Sequence, residues 1–590
     1  MRSSKIIFSQ IFIGHLGYCL IISLLGVFLF ANHLDNPFQF DSVGYIVNNP
    51  NLQNPSALLS LDFWFNEFFS RALLRMSLAL NTHLDGFNPF GYHLFNLGLH
   101  ILNALLLYFV LGKAFRYLSR NLETWENQKI SFVSFFVAVI FLSHPIQTES
   151  VIYIISRSEV MASSFYLSAF LIFQYFLEQR SPSLKQIFIY FTALFLLALL
   201  GFSVKQIVAT LPAMMVLYYF LGCPDNSPAL LFVQKWKYVF AGFVLVGSSL
   251  LLYKLLNNES FLIGPTQADE LVGRANYMLS QPSVIVFYYL KNLFLPLSLN
   301  IDPDIEVITS LTSWKFLIPS FSIILGLLSA FKFIQNRIIF FFLCWFIIIL
   351  SPSSSIVTLH DLAAEHRVYL ASTGIFVLLA LGVVSITEQC GKNRVFASRL
   401  ALFLFVFIFG FLTIQRNVTW QSELSLWQDT YEKSPNKLRP LINLARAHSL
   451  EGNTDKAMQF YKESLVKGPH VFATNYNLAD LYFSRGLLVE ALQHFLLASQ
   501  ISPEIPESFA KLGEIYLLQN KFKLADLYLR RAVEINPQFA PVFKNLGVLN
   551  FYHLNNQKQG LAYFSRSLNL EPNQPEAGKI RQLLAQFSIR

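Results

Sequence analysis

The stretch "HPIQTESVIYIISRSEV" (residues 144–160) lies between two strongly apolar segments and carries Glu149, Arg157 and Glu159. Ionisable groups at the edge of lipid are costly to desolvate, so a function is the first reading for them. The chain around them has 590 residues, 54% hydrophobic and 13% charged, with 60 Phe and 25 Tyr. That composition is too apolar for an ordinary soluble protein and indicates a polytopic membrane protein.

Working outward from 144–160, segments near the 17–25 residues that cross a bilayer core fall at 11–31, 91–112, 130–144, 160–178, 186–202, 207–222, 238–256, 314–333, 337–351, 368–386 and 399–415. The third, fifth, sixth and ninth are short and need flanking residues or tilted neighbours to span. The first has no small-residue cleavage site and reads as a retained span. Residues 283–299 are a twelfth apolar stretch, which Lys291 and Pro296 are expected to break into a re-entrant or interfacial segment. The expected fold class is all-α: a polytopic membrane bundle of about eleven spans followed by an α-solenoid.

Lys and Arg in short loops set the orientation. One set of loops holds Arg2, Lys5, Lys113, Arg116, Arg120, Lys129, Arg180, Lys185, Lys235, Lys237, Lys332, Arg337, Lys392, Arg394 and Arg399, and the other set holds fewer. This predicts the N-terminus in the cytoplasm and the C-terminal part outside it. The net charge of +9 is therefore a topology signal, and no basic cluster suggests nucleic acid. Of the four Cys, Cys19 and Cys344 fall in spans, and Cys223 and Cys390 sit near the inner face. No disulfide framework or metal-ligand spacing is visible.

Composition changes near residue 417, which divides the chain into 1–416, with a long first outer loop at 32–90, and 417–590. After the change a repeat sets in. Asn443-Leu444-Ala445, Asn477-Leu478-Ala479, Lys511-Leu512-Gly513 and Asn545-Leu546-Gly547 recur every 34 residues. Ala457, Ala491 and Ala525 keep that step, as do Pro435, Pro469, Pro503 and Pro537, with Pro572 displaced by one after an insertion near Asn555. The pattern resembles the tetratricopeptide repeat: small residues let two helices approach, and proline ends the second. Four repeats and a capping helix at 575–587 are expected, stacked into a surface that binds protein or peptide.

In the second span "GYHLFNLGLHILNA" puts His93, Asn96, His100 and Asn103 on one helical stripe. Interhelical hydrogen bonding is its first reading, and a polar site wall its second. On the outer face the basic residues are Arg71, Arg75, Arg157, Lys205, Arg274, Lys291 and Arg367, with Asp41, Glu149 and Glu365 on the same side. Any one of the cations is as readily a snorkelling anchor as a ligand group; their convergence on one face makes the functional case. If 149–157 is one helix, Glu149 and Arg157 lie about 80° apart in projection and two turns apart, compatible with facing one cavity. No phosphate-binding loop, zinc-hydrolase or serine-hydrolase motif is present, so ATP-driven transport and zinc hydrolysis have no support.

A family resemblance rests on four stretches. "SRALLRMSLALNTHLDGFNPFGYHLFNLGLHILNALLLY" (70–108), then 144–160, "AEHRVYLASTG" (364–374) and "RNVTWQSELSLWQDTYEKSPN" (416–436) occur in this order. Together they resemble the transmembrane and tetratricopeptide-repeat O-mannosyltransferases and their bacterial relatives. The resemblance implies a membrane glycosyltransferase of the GT-C class, using a lipid-phosphate-linked sugar on the outer or lumenal face, with an early acid of the first outer loop as base. That role falls on Asp41. The family often has two adjacent acids there, a Lys-Glu pair and an Arg-Pro pair, where this chain has Asp41-Ser42, Lys205-Gln206 and Arg71-Ala72.

The expected site thus has Asp41 and Glu149 as catalytic carboxylates. Arg71, Arg157, Lys205 and Arg367 bind the donor phosphate. His93, His100, His144 and Glu365 form the wall. The partners expected are a polyprenyl-phosphate-linked sugar, a protein or peptide acceptor in the repeat groove, and membrane lipids. The sequence names no cofactor. The expected location is a bacterial inner membrane with periplasmic repeats, or an endoplasmic-reticulum membrane with lumenal ones. The competing readings are a non-enzymatic scaffold for an envelope or secretion complex, which needs only the repeats, and another envelope glycan ligase.

Overall fold

The computed structural model describes residues 2–49, 52, 71–119, 127–179, 181–222, 272–332, 336–354 and 358–588. The expected span at 238–256 and part of the first outer loop lie outside the described residues. Among the described residues all regular structure is helical. The chain divides into two compact units, Met1–Lys433 and Ser434–Arg590. The division falls later than 417 because the helix Glu423–Lys433 belongs to the first unit. Its Trp427 is fully buried with its ring 5.5 Å from Phe40, and Lys433 donates to the Leu299 carbonyl at 2.9 Å.

The first unit is an integral-membrane helical bundle. Its helices are α1 (Arg2–Phe30), α2 (Ala72–Asp85), α3 (Pro89–Leu118), α4 (Asn127–Ser143), α5 (Arg157–Leu177), α6 (Leu184–Phe202), α7 (Leu211–Gly222), α8 (Arg274–Ser283), α9 (Trp314–Lys332), α10 (Arg337–Leu350), α11 (Ser372–Glu388), α12 (Arg394–Thr419) and α13 (Glu423–Lys433). Among the described residues five segments are long and apolar enough to cross a membrane: Gly14–His33, Pro89–Leu118, Ile154–Glu178, Leu184–Phe202 and Gly391–Thr419. A sixth is a pair, Asn127–Ser143 and Pro145–Ile152, bent by 54°. Gln206–Gly222, Trp314–Ser329, Arg337–Leu350 and Ser372–Glu388 are shorter apolar helices. Residues 283–299 differ from expectation. Lys291 does not interrupt the helix, which runs from Arg274 through a π-turn at Val284–Leu290 to Phe294 and ends just before Pro296.

Local chemistry sets the helix starts. Asn88 caps α3, accepting the Phe90 N–H at 3.2 Å, with Pro89 in the first turn. Ser183 and Gln186 form a reciprocal capping box on α6. The bundle is then held by close backbone approach and by polar side chains that would be unsatisfied in lipid. A Cβ on Gly374 of α11 would lie 2.3 Å from the Phe342 carbonyl oxygen of α10. Thr413 of α12 donates to the Ser143 carbonyl at 2.7 Å, and Asn417 to that of Leu29 at 2.9 Å.

The second unit is four helix pairs: Leu438–Leu450 with Thr454–Lys467, Phe472–Ser484 with Leu488–Ile501, Pro506–Leu518 with Phe522–Ile535, and Ala540–His553 with Gln557–Leu570. The helix Ala577–Ser588 follows as the cap. Each pair turns on a left-handed residue: Gly452 (φ 79°), Gly486 (φ 73°), Asn520 (φ 57°) and Asn555 (φ 52°). The last interval is one residue longer. That residue is absorbed upstream as a π-turn at Leu549–His553, the usual form of a single-residue insertion in a helix.

Candidate functional site

The segment 144–160 is not one helix. It forms a short 3-10 turn, the helix Thr148–Ile152, an extended Tyr153 (φ −70°, ψ 106°) and a second 3-10 turn before α5 starts at Arg157. Glu149 and Arg157 therefore enter different networks, and the projection argument for a shared cavity does not hold.

Arg157 is fully buried. Its Nε donates to Asn96 at 2.7 Å, Nη1 to the Ser77 carbonyl at 3.0 Å, and Nη2 to the Tyr92 carbonyl at 3.1 Å. The guanidinium also lies 4.5 Å from the Phe95 ring centroid. It staples α2, α3 and α5 together, so its donors are occupied by protein and not offered to a donor phosphate.

The three expected histidines are also engaged. His93 bonds the Asn36 carbonyl at 3.0 Å and tethers the segment after α1 to α3. His100 bonds the Tyr369 hydroxyl at 2.7 Å, and Asn103 donates to the same hydroxyl at 3.1 Å. His144 bonds the Leu293 carbonyl at 3.1 Å and packs between Phe376 and Phe409. Their bonds tie neighbouring segments together; His93 also lines a small cavity with Asn36, Tyr153 and Trp420, and its Nδ1 has no partner among the described residues.

A different set does converge. Glu149 is 2% exposed. Its Oε2 accepts the Glu365 N–H at 3.0 Å, and its Oε1 is 2.5 Å from His366 Nδ1. With both oxygens engaged, Glu149 orients a neighbour rather than waiting for a substrate proton. Glu365 in turn accepts from the Asn300 N–H and from the Tyr288 hydroxyl at 3.2 Å. Arg416 lies 4.0 Å from it while pairing with Asp429 at 2.7 Å. Burial, with the Glu149 carboxylate adding and Arg416 opposing, pushes the Glu365 carboxyl up to about 7.

Three cations act on His366, the partner of Glu149. Arg367 donates to the Asp361 carbonyl at 2.8 Å and acts electrostatically on Lys205 and His366. Lys205, in the turn after α6, pairs with Glu159 in the first turn of α5. Burial lowers the Lys205 ammonium; Glu159 opposes this, and Arg71 and Arg367 reinforce it. Arg71, before α2, holds a left-handed φ of 68° that a side chain rarely adopts. Strained backbone of this kind collects at functional sites.

Asp41 is exposed and lines an open cleft with Phe40, Gly44, Tyr45 and Asn49. Phe40, immediately before it, is also left-handed (φ 52°). Tyr153 links Asp41 to the buried group: after burial, the charges that raise its phenol are Asp41 and then Glu149. Of the expected site residues, Arg71, Lys205, Arg367, Glu149 and Glu365 gather, with Asp41 at their edge. Sequence reasoning singled out Glu159 without giving it a role, and missed His366, Tyr153 and Arg416. All three lie inside stretches already quoted, 364–374, 144–160 and 416–436. Among the described residues no group of three or more His, Cys, Asp or Glu side chains is arranged to hold a metal ion.

Comparison with known proteins adds the family. Tetratricopeptide repeat models match residues 441–469 and 506–539. "Protein O-mannosyl-transferase TMTC1" of Homo sapiens is 24% identical over 516 residues, covering 77% of this chain and 55% of that protein. "Protein O-mannosyl-transferase TMTC4" of Mus musculus is 24% identical over 495 residues, covering 75% and 65%. The Caenorhabditis elegans "Protein O-mannosyl-transferase F38B6.6" is 24% identical over 469 residues, covering 76% and 62%. The chain is a relative of the transmembrane and tetratricopeptide-repeat O-mannosyltransferases. It spans between about half and two thirds of the length of these three relatives. In this O-mannosyltransferase relative the two units are the membrane bundle and the repeats, and the charged cluster belongs to the bundle.

Proposed function

We propose that the chain is a GT-C-class membrane glycosyltransferase. It moves a mannose-like hexose from a polyprenyl-phosphate donor to a hydroxyl of a protein acceptor, on the non-cytoplasmic face. The observation that carries this reading is the gathering of Arg71, Lys205 and Arg367 around His366, which is bonded to the buried Glu149, with an exposed Asp41 at the edge. A non-enzymatic scaffold has no need of such a cluster.

The chemistry is a single displacement. Asp41 takes the proton of the acceptor hydroxyl, whose oxygen forms the new bond to the anomeric carbon. The bond from that carbon to the phosphate oxygen breaks, and its electron pair leaves with the lipid phosphate. Arg71, Lys205 and Arg367 stabilise the charge that develops there. Glu149 and Glu365 hold the segment bearing Arg367. The spans supply an apolar groove for the polyprenyl tail, and the four repeats hold the acceptor chain.

The test is mass spectrometry of exported proteins with and without this gene, paired with purified protein given polyprenyl phosphate mannose and an acceptor peptide. Loss of hexose from a defined set of proteins and transfer in vitro are expected. An unchanged glycoproteome together with no transfer from any polyprenyl phosphate sugar overturns the reading.

A further inference from the structure

His366 is the half-open member of an otherwise buried group: its side chain is 23% exposed, against 3% for Glu149. Glu149 accepts the Glu365 N–H through one oxygen and faces His366 Nδ1 through the other. With Glu149 ionised, both of its oxygens accept, and the ring proton lies on Nδ1. Nε2 then keeps a lone pair, and among the described residues no donor is bonded to it.

Besides the Glu149 carboxylate at Nδ1, on the helix Thr148–Ile152, four charged groups act on the ring. Lys205 follows α6, Glu159 opens α5, Arg71 precedes α2, and Arg367 is the next residue in the chain. Burial, then Lys205, with Arg367 and Arg71 adding and Glu159 opposing, holds the imidazole down at about 3, so it stays neutral. The result is one neutral hydrogen-bond acceptor set among three cations.

We infer that His366 is a specificity-determining residue whose Nε2 accepts a hydrogen bond from a hydroxyl of the sugar carried on the donor phosphate, with Glu149 fixing the tautomer. The inference rests on the lipid-phosphate-sugar reading of this site. An ionised phosphodiester has no proton to give a neutral lone pair, so the cations hold the phosphate and His366 selects what lies next to it. The adjoining group that carries O–H donors is the sugar.

Two variants separate this role from a structural one. His366→Asn keeps an amide donor where Nδ1 meets Glu149 but has no acceptor at the Nε2 position; His366→Gln puts an amide there. Affinities are measured in detergent for polyprenyl phosphate, polyprenyl phosphate mannose and its 2-, 3-, 4- and 6-deoxy forms. Wild type should prefer mannose over one deoxy form by roughly tenfold, about the worth of one such bond. His366→Asn should lose that preference while binding polyprenyl phosphate as wild type does, and His366→Gln should recover part of it. The inference is overturned if His366→Asn keeps the preference, if wild type has none, or if the variant weakens polyprenyl phosphate equally. Failure of wild type to bind any of the phosphate ligands instead overturns the donor reading, and this inference with it.

Discussion

At the residue scale the distinction that matters is between charges that are spent and charges that are free to act. Asp41 is the accessible one: it is exposed at a cleft, after a strained Phe40, with Tyr153 as its hydrogen-bond partner. Asp41→Asn keeps the shape and removes the proton acceptor, so turnover should fall roughly 100-fold or more with donor affinity near wild type. Wild-type turnover in a folded variant would remove Asp41 from the mechanism. Arg157 is spent, and Arg157→Met leaves the Asn96 oxygen and the Ser77 and Tyr92 carbonyls without their donor. A loss of about 3 kcal/mol of stability is expected, read as a lower unfolding temperature. A fully stable variant with weakened donor binding would return Arg157 to the phosphate site. Glu365 titrates in between. Its carboxyl stands at about 7 in the folded protein against an ordinary 4.5. A carboxyl raised on folding lends its stability in the protonated form. That contribution is complete below about 4.5 and is lost as pH rises through about 7. Thermal unfolding of wild type in detergent should therefore weaken from about pH 5 to about pH 7, and Glu365→Gln should flatten that slope; an unchanged slope would show that other groups set it.

At the element scale, close approach is what the helices cannot give up. Gly374→Ala would put a Cβ against the Phe342 carbonyl oxygen and force α10 from α11, at a cost of about 1–3 kcal/mol. An unchanged unfolding temperature would mean that the two helices part easily. Gly374 lies in a stretch quoted for its family likeness, and nothing in the sequence marked it as a packing residue. The repeats were legible because a 34-residue step is a local signal: each left-handed turn, Gly452, Gly486, Asn520 and Asn555, repeats the last. Even the extra residue near Asn555 could be read as an insertion, though not its form as a π-turn at Leu549–His553. The site was legible only in part, because its bonds join distant positions. Glu149 meets His366 and Glu159 meets Lys205; no periodicity reports such pairs. The polar stripe of α3 was read on the right face, whereas 144–160 was read as if unbroken, and the break at Tyr153 sent its charges to separate partners.

At the scale of the whole molecule, the proposed chemistry requires that the first outer loop and the repeats share the non-cytoplasmic side. Reporter fusions after Asn54 and after Asn443 should both report outside; disagreement between them would make the number of crossings between those two positions odd and undo the assignment of the site to that face. The Arg157 staple also bears on how such a chain is made. Its three partners lie on α2 and α3, which emerge from the ribosome before α5. A guanidinium costs about 2.5–3.5 kcal/mol at the centre of a span and less at its edge, where Arg157 opens α5. A nascent α5 released singly would carry that charge into lipid, whereas one that docks on α3 at once buries it already bonded. The order of synthesis therefore has the receptor for the arginine waiting before the arginine arrives, and α5 should leave the insertion machinery together with its neighbours and not as an independent span.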